Sequence, residues 1–295
     1  MRNKPIIDNF LRVKTTMNKN LNTFTSIRND RQLHLYLAWG CPFCHRILAS
    51  LAITKLDDNI SITWMENIKG EAGWKMCFIE DPLFNSDSLK AVYQQLEPTV
   101  EHRYSVPLLV DKKNNLLLST SSPEIVRYVA KGFDDSFSVA YDLIPNKLIK
   151  DIDEMNQWLH DKINRAVYLV GFATQQSDYE YKLNALFKAL DELEERLKKQ
   201  LFLFGNQLTE SDLYLLATLE RFDNIYFCLF KCSLKRIADY PALFRYHNQL
   251  RGMESLASTF QPLLTKEHYF MSTMHVLGEA RELNPSKIIP IDYCP

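Results

Sequence analysis

Apolar positions first become orderly at Leu33, where Leu33-His-Leu-Tyr-Leu-Ala38 forms a nearly continuous run that ends at Trp39-Gly-Cys41-Pro42. A run of that length bounded by turn residues reads as a buried strand over 33–38, and Pro at the first helical position opens a helix predicted over 42–55. Ile60-Ser-Ile-Thr-Trp-Met65 then alternates, which predicts a second strand and completes a βαβ unit with parallel strands. Residues 66–87 hold no period and contain Gly70, Gly73, Trp74 and Pro82, so they read as a long loop beside that unit. A helix over 88–96 stops ahead of Pro98, and Val106-Pro107-Leu-Leu-Val110, a turn over 111–115 and Leu116-Leu-Leu118 read as a hairpin. Next, Ser119-Thr-Ser-Ser-Pro123-Glu places hydroxyl side chains at the start of another helix, a terminus able to hold an anion or to be capped by one of its own serines.

Before and after this block the pattern changes. Residues 1–31 are polar with scattered apolar positions and read as a surface extension, and 133–146 read as a linker. Helical periodicity then dominates, with helices predicted over 151–167, 178–199, 211–230 and 242–250. Leu208-Thr209-Glu-Ser-Asp212 is a capping-box variant with an apolar residue in front of it. The expected organisation is therefore an α/β domain over 32–132, an all-α domain over 147–262 and a tail over 263–295 that returns towards the functional centre.

Composition narrows the class without adding chemistry. The chain has 295 residues, 46% of them hydrophobic, only 8 glycines and a formal net charge of −1. That length suits two cores, and the charge offers no field for nucleic acid or an anionic membrane surface, so neither partner is expected. No apolar run reaches the roughly 20 residues a spanning helix needs. The first residues lack the apolar core of a secretory signal, and a cytoplasmic location is expected.

Chemistry concentrates at Cys41. A cysteine at a helix N-cap faces backbone N–H groups and the positive end of the helix, both of which favour thiolate over thiol. With Cys44 it forms a Cys-Pro-x-Cys turn after a strand, a thioredoxin-like arrangement for nucleophilic sulfur chemistry. A zinc site would need a second pair, which Cys77, Cys228, Cys232 and Cys294 do not supply at that spacing, so no metal is expected. A merely structural pair of buried cysteines is the remaining alternative. In a fold of this type Pro107 predicts a cis Val106–Pro107 bond, leaving Val106 N–H and C=O free to pair with an extended peptide such as glutathione.

Beyond single motifs, the chain resembles the glutathionyl-hydroquinone reductases, the Xi class of glutathione transferases. The likeness runs through Cys41-Pro42 with His45-Arg46, Gly70-Glu-x-Gly-Trp74, Arg103-Tyr-Ser-Val-Pro107, Gly171-Phe-Ala-Thr174, Leu203-Phe-Gly205 and Arg221-Phe-Asp-x-x-Tyr226. It continues in Phe230-Lys-Cys232, Arg236-Ile-Ala-Asp-Tyr-Pro241, His268-Tyr269 and Asn284-Pro-x-x-Ile288-x-Pro290. The resemblance implies a glutathione transferase fold, a thioredoxin-like domain followed by an all-helical one, assembled as a homodimer. It implies that Cys41 takes the sulfur from a glutathione conjugate of a hydroquinone, and that a second glutathione, as co-substrate, then releases oxidised glutathione. It also implies glutathione contacts from Trp74, Arg103, Val106 with Pro107, and Ser121 with Ser122, and a role for Tyr168, Tyr226 and Tyr269 on the quinone side.

Two departures from that family stand in the sequence. Cys44 replaces the usual alanine and adds a possible resolving thiol, and Ser121 stands where a carboxylate usually pairs the γ-glutamyl ammonium. An Omega-like thiol transferase or dehydroascorbate reductase, and a non-catalytic binding protein on the same fold, are the competing readings.

Overall fold

The computed structural model describes residues 32–77, 81, 83–101 and 103–272; the expected N-terminal extension and the segment beyond 272 lie outside the described residues. Four strands form one sheet in the order β2-β1-β3-β4: β1 Leu33–Leu37, β2 Ser61–Trp64, β3 Leu108–Asp111 and β4 Leu116–Ser119. β1 lies parallel to β2, with His34 opposite Ser61, and antiparallel to β3, with Tyr36 opposite Leu108. All five β1 residues are buried, as expected of an apolar run flanked on both sides. The register brings the chain leaving β1 beside the chain entering β3, and Ser119 at the end of β4 pairs with Leu109. Cys41, Pro107 and the 119–122 turn therefore gather at one end of the sheet.

Helix α1, Pro42–Thr54, crosses from β1 to β2; α2 is Leu89–Leu96 and α3 is Ser122–Ala130. α1 is buried on nearly every face, because α3 packs on one side and helices of the second half on the other. Ile47, Leu51 and Ile53 are all buried between these neighbours. The second half contains α4 Ile149–Leu159, α5 Ala166–Gly171, α6 Gln176–Leu197, α7 Glu210–Arg221, α8 Pro241–Arg251 and α9 Pro262–Met271.

Buried carboxylates satisfy helix starts here. Asp212 accepts the Thr209 N–H at 2.8 Å, the Leu203 N–H at 2.9 Å and the Tyr246 hydroxyl at 2.9 Å, completing the capping box read from the sequence. Glu194 accepts the N–H groups of Ala242 and Leu243 at 2.9 and 2.8 Å and so docks α8 onto α6.

The structure departs from the sequence pattern in three places. The helix expected over 151–167 is interrupted by a π turn at His160–Asn164, and the one expected over 211–230 by a second π turn at Phe222–Tyr226. An extra residue in a helical turn displaces the apolar pattern by one position without ending it, so helical periodicity continues on either side and the interruption is not read from it. The stretch read as a tail begins with an ordered helix, α9, whose buried residues Thr265, His268 and Tyr269 share one face. Of the serines ahead of α3, Ser121 is the N-cap by position but makes no side-chain cap. Ser119 does that work instead: its hydroxyl accepts the Ser121 N–H at 3.0 Å and donates to Glu124 at 2.7 Å.

Candidate active site

Cys41 is the N-cap residue of α1, buried, with its sulfur 3.9 Å from the Val106 carbonyl. Val106 precedes a cis bond to Pro107, as the sequence predicts. Burial pushes the Cys41 thiol up, but the Cys44 thiol, the N–H groups of Cys44 and Phe43, and the Arg221 charge outweigh it and bring the value below the usual thiol range. Cys44, wholly buried at N3 of the same helix, moves the other way: burial comes first, then the hydrogen bond and charge shared with Cys41. The pair is thus arranged as a thiolate with a thiol donor beside it. Cys41, Cys44 and Cys232 are free and buried, while Cys77 and Cys228 are free and exposed.

The loop over 66–77 supplies the next wall. Trp74 is 2% exposed, and its indole N–H has no hydrogen-bond partner among the described residues. A buried donor left without a partner costs on the order of 1–3 kcal/mol, which marks a place where a ligand acceptor fits. The ammonium of Lys69 lies 5.2 Å from the centre of that indole, and the imidazole of His268 stacks on it at 5.3 Å and 13°. Burial, with the Arg103 charge adding to it, lowers Lys69 to about 8. Arg103 itself is exposed on the loop leading to Val106, and Ser122 is buried at the start of α3.

Near enough to Cys41 for its charge to act on one of them, three hydroxyls from three separate elements meet. Tyr168 from α5 lies 2.7 Å from Tyr269 of α9 and 3.3 Å from Tyr226 of the second π turn, and Tyr226 is 3.1 Å from Tyr269. Burial pushes all three phenols up, so they stay protonated donors. Three O–H groups around a closed triangle satisfy one another, which is how three hydroxyls tolerate a dry site. Phe230 stacks on Tyr226 at 5.2 Å and tilts against Tyr168 at 5.3 Å, extending the cluster into an aromatic surface.

Arg221 and His268 fall within motifs of the sequence, but neither has a role that the sequence assigns. Arg221, at the end of α7, is 2% exposed and donates to the carbonyls of Trp39 at 3.1 Å and Gly40 at 3.3 Å, the two residues before Cys41. It also donates to the Ala217 carbonyl at 2.8 Å and to His45 Nδ1 at 3.1 Å. Since Nδ1 accepts, the His45 proton sits on Nε2, which donates to the Thr259 hydroxyl at 3.3 Å. Burial, then Arg221, His247 and Arg46, keep that imidazole neutral. His268 hydrogen-bonds the Asn67 carbonyl at 2.7 Å and presses on Gly40, where an added Cβ would lie 2.2 Å from its Cγ. The signal available for Arg221 was a lone cation ending the apolar run Leu213 to Leu219.

Residues 165–249 match the family model for the glutathione S-transferase C-terminal domain. Glutathionyl-hydroquinone reductase PcpF of Sphingobium chlorophenolicum is 37% identical over 262 residues, covering 88% of this chain and 82% of that protein. Glutathionyl-hydroquinone reductase YqjG of Escherichia coli is 35% identical over 270 residues, with 90% and 80% covered. The solved structure of glutathione-bound YqjG superposes with a TM-score of 0.80 at 36% identity, covering 90% of this chain and 85% of that one. The Xi glutathione transferase of Phanerochaete chrysosporium gives 0.80 at 35% identity, with 92% and 93% covered.

Proposed function

Since the chain belongs to the glutathionyl-hydroquinone reductases of the glutathione transferase superfamily, we propose that it reduces glutathionyl-hydroquinones to hydroquinones through a Cys41–glutathione mixed disulfide. The observation that carries this reading is the placement of a buried, activated sulfur opposite a triangle of protonated phenols, with one arginine touching the sulfur's turn and facing the phenols. A plain thiol transferase has no use for the phenols.

The chemistry follows from those atoms. Cys41 thiolate attacks the sulfur of the conjugate, forming an S–S bond as the bond from that sulfur to the aromatic ring breaks. The electron pair passes to the ring, which takes a proton at the carbon that lost sulfur, while charge spread to a ring oxygen is met by hydroxyls of Tyr168, Tyr226 and Tyr269. A second glutathione thiolate then attacks the mixed disulfide, releasing oxidised glutathione and Cys41 thiolate. The sum consumes one conjugate and one glutathione and yields one hydroquinone and one disulfide.

On the glutathione side, Val106 pairs with the peptide backbone, Trp74 offers its unpartnered indole N–H, Arg103 meets a carboxylate, and the start of α3 at Ser121 and Ser122 receives the other. In the same reading residues 32–132 hold glutathione, 147–262 hold the aromatic part, and 263–295 return a helix to the site. Free thiols suit a reducing cytoplasm. We also propose a homodimer, on family membership alone; sedimentation at micromolar concentration showing a monomer removes it.

The deciding experiment is product analysis with a glutathionyl-hydroquinone, alongside folded Cys41→Ser. Hydroquinone and oxidised glutathione should form with the wild type and not with the variant, because serine keeps the cap position but ionises far less readily than a thiol. Substantial turnover by the folded variant overturns the assignment.

A further inference from the structure

Arg221 carries a full charge in a dry site without a carboxylate to balance it. Its four hydrogen-bond acceptors are neutral: three backbone carbonyls and the lone pair of His45. Among the described residues no Asp or Glu forms an ion pair with it, whereas Arg127 pairs with both Asp153 and Glu210. Buried Arg46 is likewise without an ion pair but has other compensation, its guanidinium lying 3.9 Å over the Tyr214 ring and Glu210 acting on its charge. An uncompensated buried cation is costly, so a site that keeps one is arranged around an anion.

The groups able to become anionic that act most strongly on the Arg221 charge are Tyr269 of α9, Tyr226 of the π turn, Tyr168 of α5 and Cys41 from the start of α1. Cys44 also faces it but stays a thiol, and His45 faces it as a neutral ring.

We propose that Arg221 is the fixed counter-cation of the reaction centre, balancing negative charge on Cys41 in the resting enzyme and on the phenol cluster with its bound aromatic oxygen once sulfur has been transferred. The second half of this role rests on the function proposed above; the first does not. The two anions are never present together. Attack moves one negative charge from the sulfur through the breaking C–S bond to the ring, and Arg221 interacts with both the sulfur and the phenols. A guanidinium suits this position because its fork also grips the Trp39 and Gly40 carbonyls and so fixes the distance to Cys41. Arg221 thus acts as a positioning and electrostatic residue, not one that bonds to sulfur.

The test reads Cys41 ionisation without any hydroquinone. Iodoacetamide alkylation is followed against pH in the wild type, Arg221→Lys and Arg221→Gln, with mass spectrometry assigning the modification to Cys41 and circular dichroism verifying the fold. Besides Arg221, the groups facing Cys41 are Cys44 and Arg46 on α1, Lys69 on the 66–77 loop and Tyr226; all stay unchanged in these proteins.

The wild-type midpoint should lie below the ordinary thiol value of about 8.5. Arg221→Gln, neutral but still able to donate to a carbonyl, should raise it by about one unit or more, a tenfold loss of thiolate at neutral pH. Arg221→Lys should keep the midpoint low while turnover falls, since the charge remains and the two-carbonyl grip does not.

A folded Arg221→Gln with the wild-type midpoint overturns the proposal, as does an ordinary midpoint in the wild type. Should Arg221→Gln not fold, Arg221→Lys decides, a midpoint as low as that of the wild type supporting the proposal and a raised one refuting it. Raised midpoints in Arg221→Gln with no turnover of a glutathionyl-hydroquinone by the wild type would sink the assigned reaction and leave the counter-cation standing.

Discussion

Replacing Gly40 by Ala adds one methyl group at the point where the helical half touches the turn before Cys41. The new Cβ would lie 2.2, 2.3 and 2.5 Å from Cγ, Cδ2 and Cβ of His268, all far inside van der Waals contact. His268 has nowhere easy to go. Its ring is held by the Asn67 carbonyl at 2.7 Å and stacked on Trp74 at 5.3 Å, so retreat breaks a hydrogen bond of about 0.5–1.5 kcal/mol and an aromatic contact of similar size. Overpacking of a tight site costs about 1–3 kcal/mol by itself, and relief of the clash trades one cost for the other, so the expected loss of stability is about 1–3 kcal/mol.

Activity should suffer more than stability. Tyr269 is the next residue after His268, and moving α9 by an ångström takes its hydroxyl out of reach of Tyr168, a misplacement worth about 10²-fold in rate. The checks are the urea midpoint by tryptophan fluorescence and turnover on a glutathionyl-hydroquinone, with iodoacetamide confirming that Cys41 still reacts. Wild-type turnover together with a wild-type midpoint in Gly40→Ala would show that α9 is not seated on this turn.

Two further substitutions probe the groups beside the sulfur. Cys44→Ala should still turn over, because the second glutathione does the resolving, but with the Cys41 midpoint moved up, because the thiol donor beside that sulfur is lost; collapse of turnover with accumulation of glutathionylated Cys41 at millimolar glutathione would show that Cys44 belongs to the mechanism. Lys69→Met should raise stability at neutral pH, since the folded protein holds that ammonium at about 8 against an ordinary 10.5. The wild type carries the full penalty below about 8 and loses it as pH rises towards 10.5, so the two unfolding midpoints should converge across that window; a constant gap would contradict the assignment.

Much of the fold was legible because local signals agreed with one another. Pro42 and Pro123 marked helix starts, Pro107 its cis bond, and Thr209 with Asp212 a capping box, each a requirement of the backbone that only certain residues meet. The place of Cys41 was legible for the same reason, as the N-cap residue of a recognisable turn. The tyrosines could be named through resemblance, but their closure into one triangle depends on three elements separated by up to 101 positions, which no window along the chain contains. Arg221 was hidden differently. An arginine ending a helix is ordinarily a solvated cation near the dipole's negative end, and only the packing of α7 on α1 shows that this one is buried against carbonyls 181 and 182 positions away. Which serine would cap α3 was not legible: it is Ser119, because the turn after β4 carries its hydroxyl forward to the Ser121 N–H and the Glu124 carboxylate.

The π turn at Phe222–Tyr226 carries a cost that a protein engineer would meet at once. It holds one residue more than a regular helix would need, and deleting one position there is an obvious route to a straighter, better-bonded helix. The deletion would gain local stability and rotate the residues beyond it by about 100° around the helix axis. Tyr226 would then swing away from Tyr168 and Tyr269, and Phe230 would lose its place against them. An irregular turn is therefore worth more to this chain than a regular one, and variants selected only for heat resistance should drift towards repairing it and lose activity as they do.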